Sequence, residues 1–181
     1  MSVRSGILAI LTLGPAYGLQ LHTEFLARAA HRERVNVGQI YGTLDRLATQ
    51  GLIERAGLTD DALPLYRLTG PGAAEASDWL HGREPVDRDW TEMLDRVLLS
   101  CSLVTADPVA VVDAYLENWS TSAAPPDPAD PAAFAAAAAN HLAHAARRWL
   151  ASISDAAQHG TLLRGMSEER PRRGRRPAPL V

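Results

Sequence analysis

The sequence predicts a mainly α-helical chain with one small β-hairpin, and three observations carry that prediction. Apolar residues recur every three or four positions through most of the 181 residues, and only two short runs near residue 60 read as strands. Helix starts and stops are marked, most clearly in residues 36–51, NVGQIYGTLDRLATQG. Hydrophobic residues make up 46% of the chain, enough for a core, while the N-terminal apolar run of residues 7–13 is too short to span a bilayer.

Residues 4–13 read as a first helix with Ile7, Leu8 and Leu11 inward, and residues 14–18 (GPAYG) as a turn. A second helix runs from there to about Ala30. Leu19, Leu21, Phe25 and Leu26 form its apolar face, and Gln20, Thr23, Glu24 and Arg28 look outward. Its start, near Tyr17 and Gly18, exposes backbone amides suited to an anion such as a phosphate; simple packing of Tyr17 is the alternative. The charged link that follows carries Arg32 and Arg34, which fit either a phosphate contact or a solvated turn.

The third helix organises the rest. Asn36 is its N-cap, with Gln39 three positions on in a capping-box arrangement, and Gly51 supplies the left-handed residue that ends it. Ile40, Leu44 and Leu47 make one buried stripe, leaving Gly38, Gln39, Gly42, Thr43, Arg46 and Gln50 outward. A face with two glycines, amides, a hydroxyl and one Arg suits close approach to another surface. Residues 52–56 and 65–68 read as strands joined by residues 57–64, a hairpin whose tip carries Asp60 and Asp61. Acids there repel phosphates, so Arg55 and Arg67 are the better candidates on this hairpin. Residues 69–72 (TGPG) then cap a helix over 73–81 bearing Ala76, Trp79 and Leu80, and the acidic stretch 84–89 ends the first domain, residues 1–83.

Residues 84–166 form a second, helical domain. Trp90, Met93, Leu94, Val97, Leu98 and Cys101 follow helical spacing, with Arg88, Glu92, Asp95 and Arg96 on the other side. Pro108 opens the next helix, with Val109, Val112, Tyr115, Leu116 and Trp119, and a proline-rich loop over 121–131 stops it. From Ala132 to about His159 an alanine-rich helix places Phe134, Ala138, Leu142, Ala145, Trp149 and Ile153 along one face. A helical region this narrow finds a partner, so Phe134, Leu142, Ala145, Trp149 and Ile153 are assigned to a homodimer interface. Residues 167–181 combine five Arg with prolines and few apolar anchors, which predicts a disordered tail.

Charge is divided by region. Residues 1–69 are net +1, residues 70–166 net −7 and residues 167–181 net +3, and with no lysine present every basic side chain apart from histidine is an Arg. The single cysteine permits neither an internal disulfide nor a cysteine-based zinc site, in keeping with a cytoplasmic location. His141 and His144 lie three apart with no third ligand evident, which favours surface histidines over a metal pair. No nucleophile triad or phosphate loop is present in the pattern, so no enzyme, metal or cofactor is expected. Trp79, Trp90, Trp119 and Trp149 fit either plain packing or a site for a flat apolar effector.

Four segments in this order, ILAILTLGPAYG (7–18), GQIYGTLDRL (38–47), GLI (51–53) and YRLT (66–69) with Gly72 behind, resemble the PadR-type transcriptional regulators. The sequence departs from that pattern at Gly42, where proline is usual, and at the acidic hairpin tip. The resemblance implies an N-terminal winged helix-turn-helix with a two-stranded wing, and pairing through C-terminal helices. It also implies double-stranded DNA as partner; two-fold pairing then predicts a palindromic operator, and with the tryptophans the expectation is a repressor released by a small hydrophobic or aromatic effector, with no membrane partner. Gln39, Thr43 and Arg46 are then expected near base edges, with Gly38 allowing the approach, and Tyr17 and Tyr41 at phosphates. A ligand- or partner-binding sensor without DNA binding is the rival reading, prompted by the nearly neutral first domain and the acidic wing.

Overall fold

The computed structural model describes residues 3–29, 35–121 and 130–167. Its elements run α1 (Val3–Leu11), β1 (Ala16–Tyr17), α2 (Gly18–Arg28), α3 (Val37–Thr49), β2 (Ile53–Leu58), β3 (Pro64–Leu68), α4 (Gly70–Leu80), α5 (Trp90–Ser102), α6 (Pro108–Asn118) and α7 (Pro131–His159). The mainly helical class and the winged helix are as expected from the sequence. The sheet has three strands rather than two, in the order β1-β3-β2 and antiparallel throughout, with Ala16 opposite Tyr66 and Tyr17 opposite Leu65. Two residues are too few to show a period of two, so β1 reads as part of a turn in the sequence.

The wing also reaches further than expected. β2 continues through Gly57 and Leu58 by an irregularity between Arg55 and Leu58, where Gly57 takes φ +112°. The tip closes over residues 59–63, where the Thr59 amide donates to the Leu63 carbonyl at 2.9 Å.

Two clusters of buried side chains form the core. The first gathers α1, α2, α3, the sheet and α4, with Ile7, Phe25, Ile40, Leu44, Leu47, Trp79 and Leu80 all closed to solvent. The second gathers α5, α6 and α7 around Met93, Val97, Tyr115, Trp119, Ala146 and Leu150. Helix α5 serves both: Met93, Val97 and Cys101 face the second cluster, while Leu99 and Leu103 just beyond face the first. This double burial corrects the expected polar side of α5, because Asp95 and Arg96 are enclosed. Arg96 Nε donates to the Trp79 carbonyl at 2.8 Å, and its guanidinium lies 5.4 Å from the Trp79 ring centre.

Glu24 and Arg28 on α2, expected outward, are also buried. They form an ion pair at 2.9 Å, and Arg28 further donates to the carbonyls of Ser102 (2.7 Å), Arg164 (3.2 Å) and Gly165 (2.7 Å). Burial lowers the Arg28 pKa from its ordinary value, an effect that the Glu24 carboxylate opposes.

Candidate nucleic-acid interface

Helix α3 is fixed at both ends before any partner arrives. The Asn36 side chain accepts from the Gln39 amide at 2.9 Å. At the other end the Leu52 amide reaches the Leu47 carbonyl and the Gly51 amide the Ala48 carbonyl, both at 3.0 Å, with Gly51 at φ +71°. That pairing is a Schellman closure, which needs a left-handed residue where Gly51 stands. Ile40, Leu44 and Leu47 are fully buried beneath, so the helix cannot roll without exposing them.

Gly38, Gln39, Gly42, Arg46 and Gln50 are exposed as expected. Thr43 is not: it is buried, and its hydroxyl donates to the Gln39 carbonyl at 2.8 Å while accepting from Arg46 Nη2 at 3.0 Å. Thr43 therefore holds Arg46 in place instead of reaching outward itself. Around Gly42 a Cβ would meet nothing within 4 Å, so this glycine is not required by the fold of the free chain.

Tyr41 is 39% exposed and lies against the start of α2. A Cβ on Gly18 would stand 2.6 Å from the Tyr41 ring, so the absence of a side chain there lets the ring close onto the α2 N-terminus. The half-buried Tyr17 is the residue before that helix and is held by β1. The first amides of α2, Tyr17, Tyr41 and the outward side of α3 thus form adjoining parts of one surface, rich in hydrogen-bond donors at its edge.

On the wing, Arg55 and Arg67 are exposed, but Arg67 is bound across the strands to Glu54, with Nε to Oε1 at 2.7 Å. The Glu54–Arg67 register explains it, since opposed residues of an antiparallel pair meet on one face. Arg32 and Arg34 lie outside the described residues, as do the tail residues beyond Ser167 and residues 122–129.

The four tryptophans do not converge within one chain. Trp79 is buried in the first cluster and Trp119 in the second, while Trp90 and Trp149 are half-buried and pair with ring centres 6.5 Å apart. Three buried donors, Arg96 Nη2, the Tyr115 hydroxyl and Trp119 Nε1, have no acceptor among the described residues. Among the described residues no group of three His, Cys, Asp or Glu could hold a metal, and His141 and His144 are exposed. No described helix is long and apolar enough to cross a membrane.

Residues 7–78, which span this surface, match the family model described as the Transcriptional regulator PadR-like family. Over this segment the chain is similar to the PadR-like family. The crystal structure of Bacillus subtilis PadR in complex with operator DNA is similar at 23% identity, covering 83% of this chain and 97% of that one, with a TM-score of 0.41. No curated protein sequence matches the chain. The matched segment holds α3 and the whole wing, and the sequence signal for it lay in the capped helix and the wing.

Proposed function

We propose that this DNA-binding regulator is a homodimeric repressor that reads a palindromic operator through α3 and is released by a small aromatic or hydrophobic effector. The observation that carries the proposal is the outward side of α3, where exposed Gln39 and a pre-positioned Arg46 flank the bare backbone of Gly42. Gln pairs with adenine and Arg with guanine through two bonds each in the major groove, and a glycine between them lets the helix seat deeply. Tyr41 and the first amides of α2 then take phosphates at the groove edge.

Dimerisation is supported by α7. Its buried residues begin at Ala143, so residues 131–142, roughly 18 Å of helix, bury no side chain against the described residues. Phe134 (55%) and Leu142 (41%) stand exposed there, and Ala145 continues their row. A two-fold pair would set two reading helices about 34 Å apart. For the effector, the open Trp90–Trp149 pair offers an aromatic wall at the meeting of α5 and α7. Binding there shifts α7 against α5, and with it the spacing of the reading helices.

Fluorescence anisotropy on duplexes tiled across the region upstream of the coding sequence, at two salt concentrations with random DNA as competitor, tests the reading. One palindromic tile should bind far more tightly than the rest and keep its lead at higher salt. Equal binding to every tile, all lost with salt, would leave only nonspecific charge attraction and sink the operator reading.

A further inference from the structure

The large apolar side chains left exposed are not scattered. Phe134 and Leu142 stand on the first half of α7, whereas Val104 and Leu163 line a cavity of about 330 Å3 at its far end, with Val109 and Leu162 next to lining residues in the chain. Among the described residues only Tyr41 and Leu58 lie elsewhere. Leu103, Val104 and Pro108 form one wall of the cavity, from the turn between α5 and α6, and Ala157, Gly160 and Leu163 form the other, where α7 ends. Apolar patches of this kind mark surfaces that meet another molecule.

One row of α7 connects the two patches. Residues 134, 138, 142, 145, 149, 152, 156 and 160 follow at spacings of 4, 4, 3, 4, 3, 4 and 4, so they share one side of the helix, and none of them is buried. The spacings read the same from either end and are centred on position 147. Laid antiparallel on a copy of itself about that centre, the row sets Phe134 over Gly160, Ala138 over Ala156, Leu142 over Ser152 and Trp149 over Ala145. Every large side chain then meets a small one, as close packing requires. The Ser152 hydroxyl is already satisfied, since it donates to the Trp149 carbonyl at 2.7 Å. A parallel pair about a two-fold axis would set each large side chain beside its own copy and leave the cavity end bare.

We infer that two copies of the chain pair antiparallel through this row, and that the Phe134 ring of each enters the cavity at the α7 end of the other. The inference rests on the homodimer reading and adds to it the direction, the register and the occupant of the cavity. Gly160 lines the cavity without a side chain of its own, and the volume is about twice the roughly 150 Å3 that takes up a benzene ring. The contact runs along roughly 39 Å of helix. It also reaches the first domain, because Leu163 is followed at once by Arg164 and Gly165, whose carbonyls accept from Arg28 of α2 at 3.2 and 2.7 Å. Each ring therefore braces the segment tied to the other copy's α2.

The test uses no DNA, so it stands whether or not the operator reading does. A full chain carrying A138C and A156C is treated with a short bis-maleimide beside each single variant and the unaltered chain, which controls for the buried Cys101. Within one helix the two cysteines lie eighteen residues apart, roughly 27 Å, and the same offset separates like positions across the antiparallel pair. The double variant should therefore be linked into dimers and neither single variant should be. A single variant that links to itself means parallel pairing and overturns the proposal, as does a double variant that sediments as a dimer without linking. If sedimentation finds monomers throughout, the homodimer reading falls and this register with it. Phe134→Ala alters no buried side chain, so the melting transition should stay, while the dimer dissociation constant should rise at least about tenfold. An unchanged constant would take the ring out of the cavity.

Discussion

Arg46 leaves α3 with one N–H already on the Thr43 hydroxyl, so under the proposed operator reading little side-chain freedom would be lost on meeting a base. Arg46→Ala should cost about 1 to 3 kcal/mol of operator binding with the dimer intact, read by anisotropy beside sedimentation. Thr43→Val keeps the buried shape and removes only the acceptor, and should weaken binding less than Arg46→Ala; equal loss would make Thr43 itself a contact. The sequence shows the stripe of Ile40, Leu44 and Leu47 but misplaces Thr43, and the reason is general. At about 100° per residue, position 43 lies only about 60° from position 40, on the margin of the buried side. Glu24 and Arg28 stand in the same relation to Leu21 and Phe25. Polar identity argued for solvent where geometry put the side chain under cover, and only the partners seen in the fold explain how each is satisfied. Cys101 belongs to this scale too. Burial pushes its thiol up to about 11 from an ordinary 9, so its neutral form stabilises the fold below pH 9 and that contribution is lost as pH rises through 11. Iodoacetamide at pH 8 should label it slowly in the folded protein and fast in denaturant; rapid labelling of the native state would contradict its burial.

Helix α3 can be altered without touching a side chain proposed to read DNA. Gly42→Ala meets open space and gains helix propensity, so stability should rise by about 0.5 to 1 kcal/mol. If the bare backbone is there for close approach, the same change should weaken operator binding. Melting and anisotropy on one sample decide it, since a gain in both would make Gly42 incidental. Helix α2 tests the buried pair. Arg28→Met takes the guanidinium away from the Glu24 carboxylate and from the carbonyls of Ser102, Arg164 and Gly165, leaving a buried carboxylate without its counter-charge, and should destabilise by about 3 to 5 kcal/mol in urea unfolding. Long elements with marked ends were legible at this scale: the Asn36 cap, the Gly51 terminus and the proline start of α6. Strand β1 was not, because a two-residue strand exists only through its partner β3.

Across the whole molecule the open question is what covers the first half of α7. Its inner row, Ala143, Ala146, Leu150, Ile153 and Ala157, packs on α5 and α6. That places Ile153 inside the chain, where the sequence had put it with Phe134 and Leu142 at an interface. A long alanine-rich helix offers two apolar rows, and sequence alone does not say which one the chain keeps for itself. The row left over, Phe134, Leu142 and Ala145 with half-buried Trp149 at its end, is the one a second copy would use. Leu142→Glu puts a charge in the middle of that row without entering either core, so each chain should keep its melting transition. Sedimentation should then show monomers at concentrations where the unaltered chain pairs. Operator binding should fall far more than half-site binding, because two half-sites are no longer engaged together. A variant that still sediments as a dimer would move the interface elsewhere on the molecule, and the spacing argument for effector release would have to be rebuilt on that other surface.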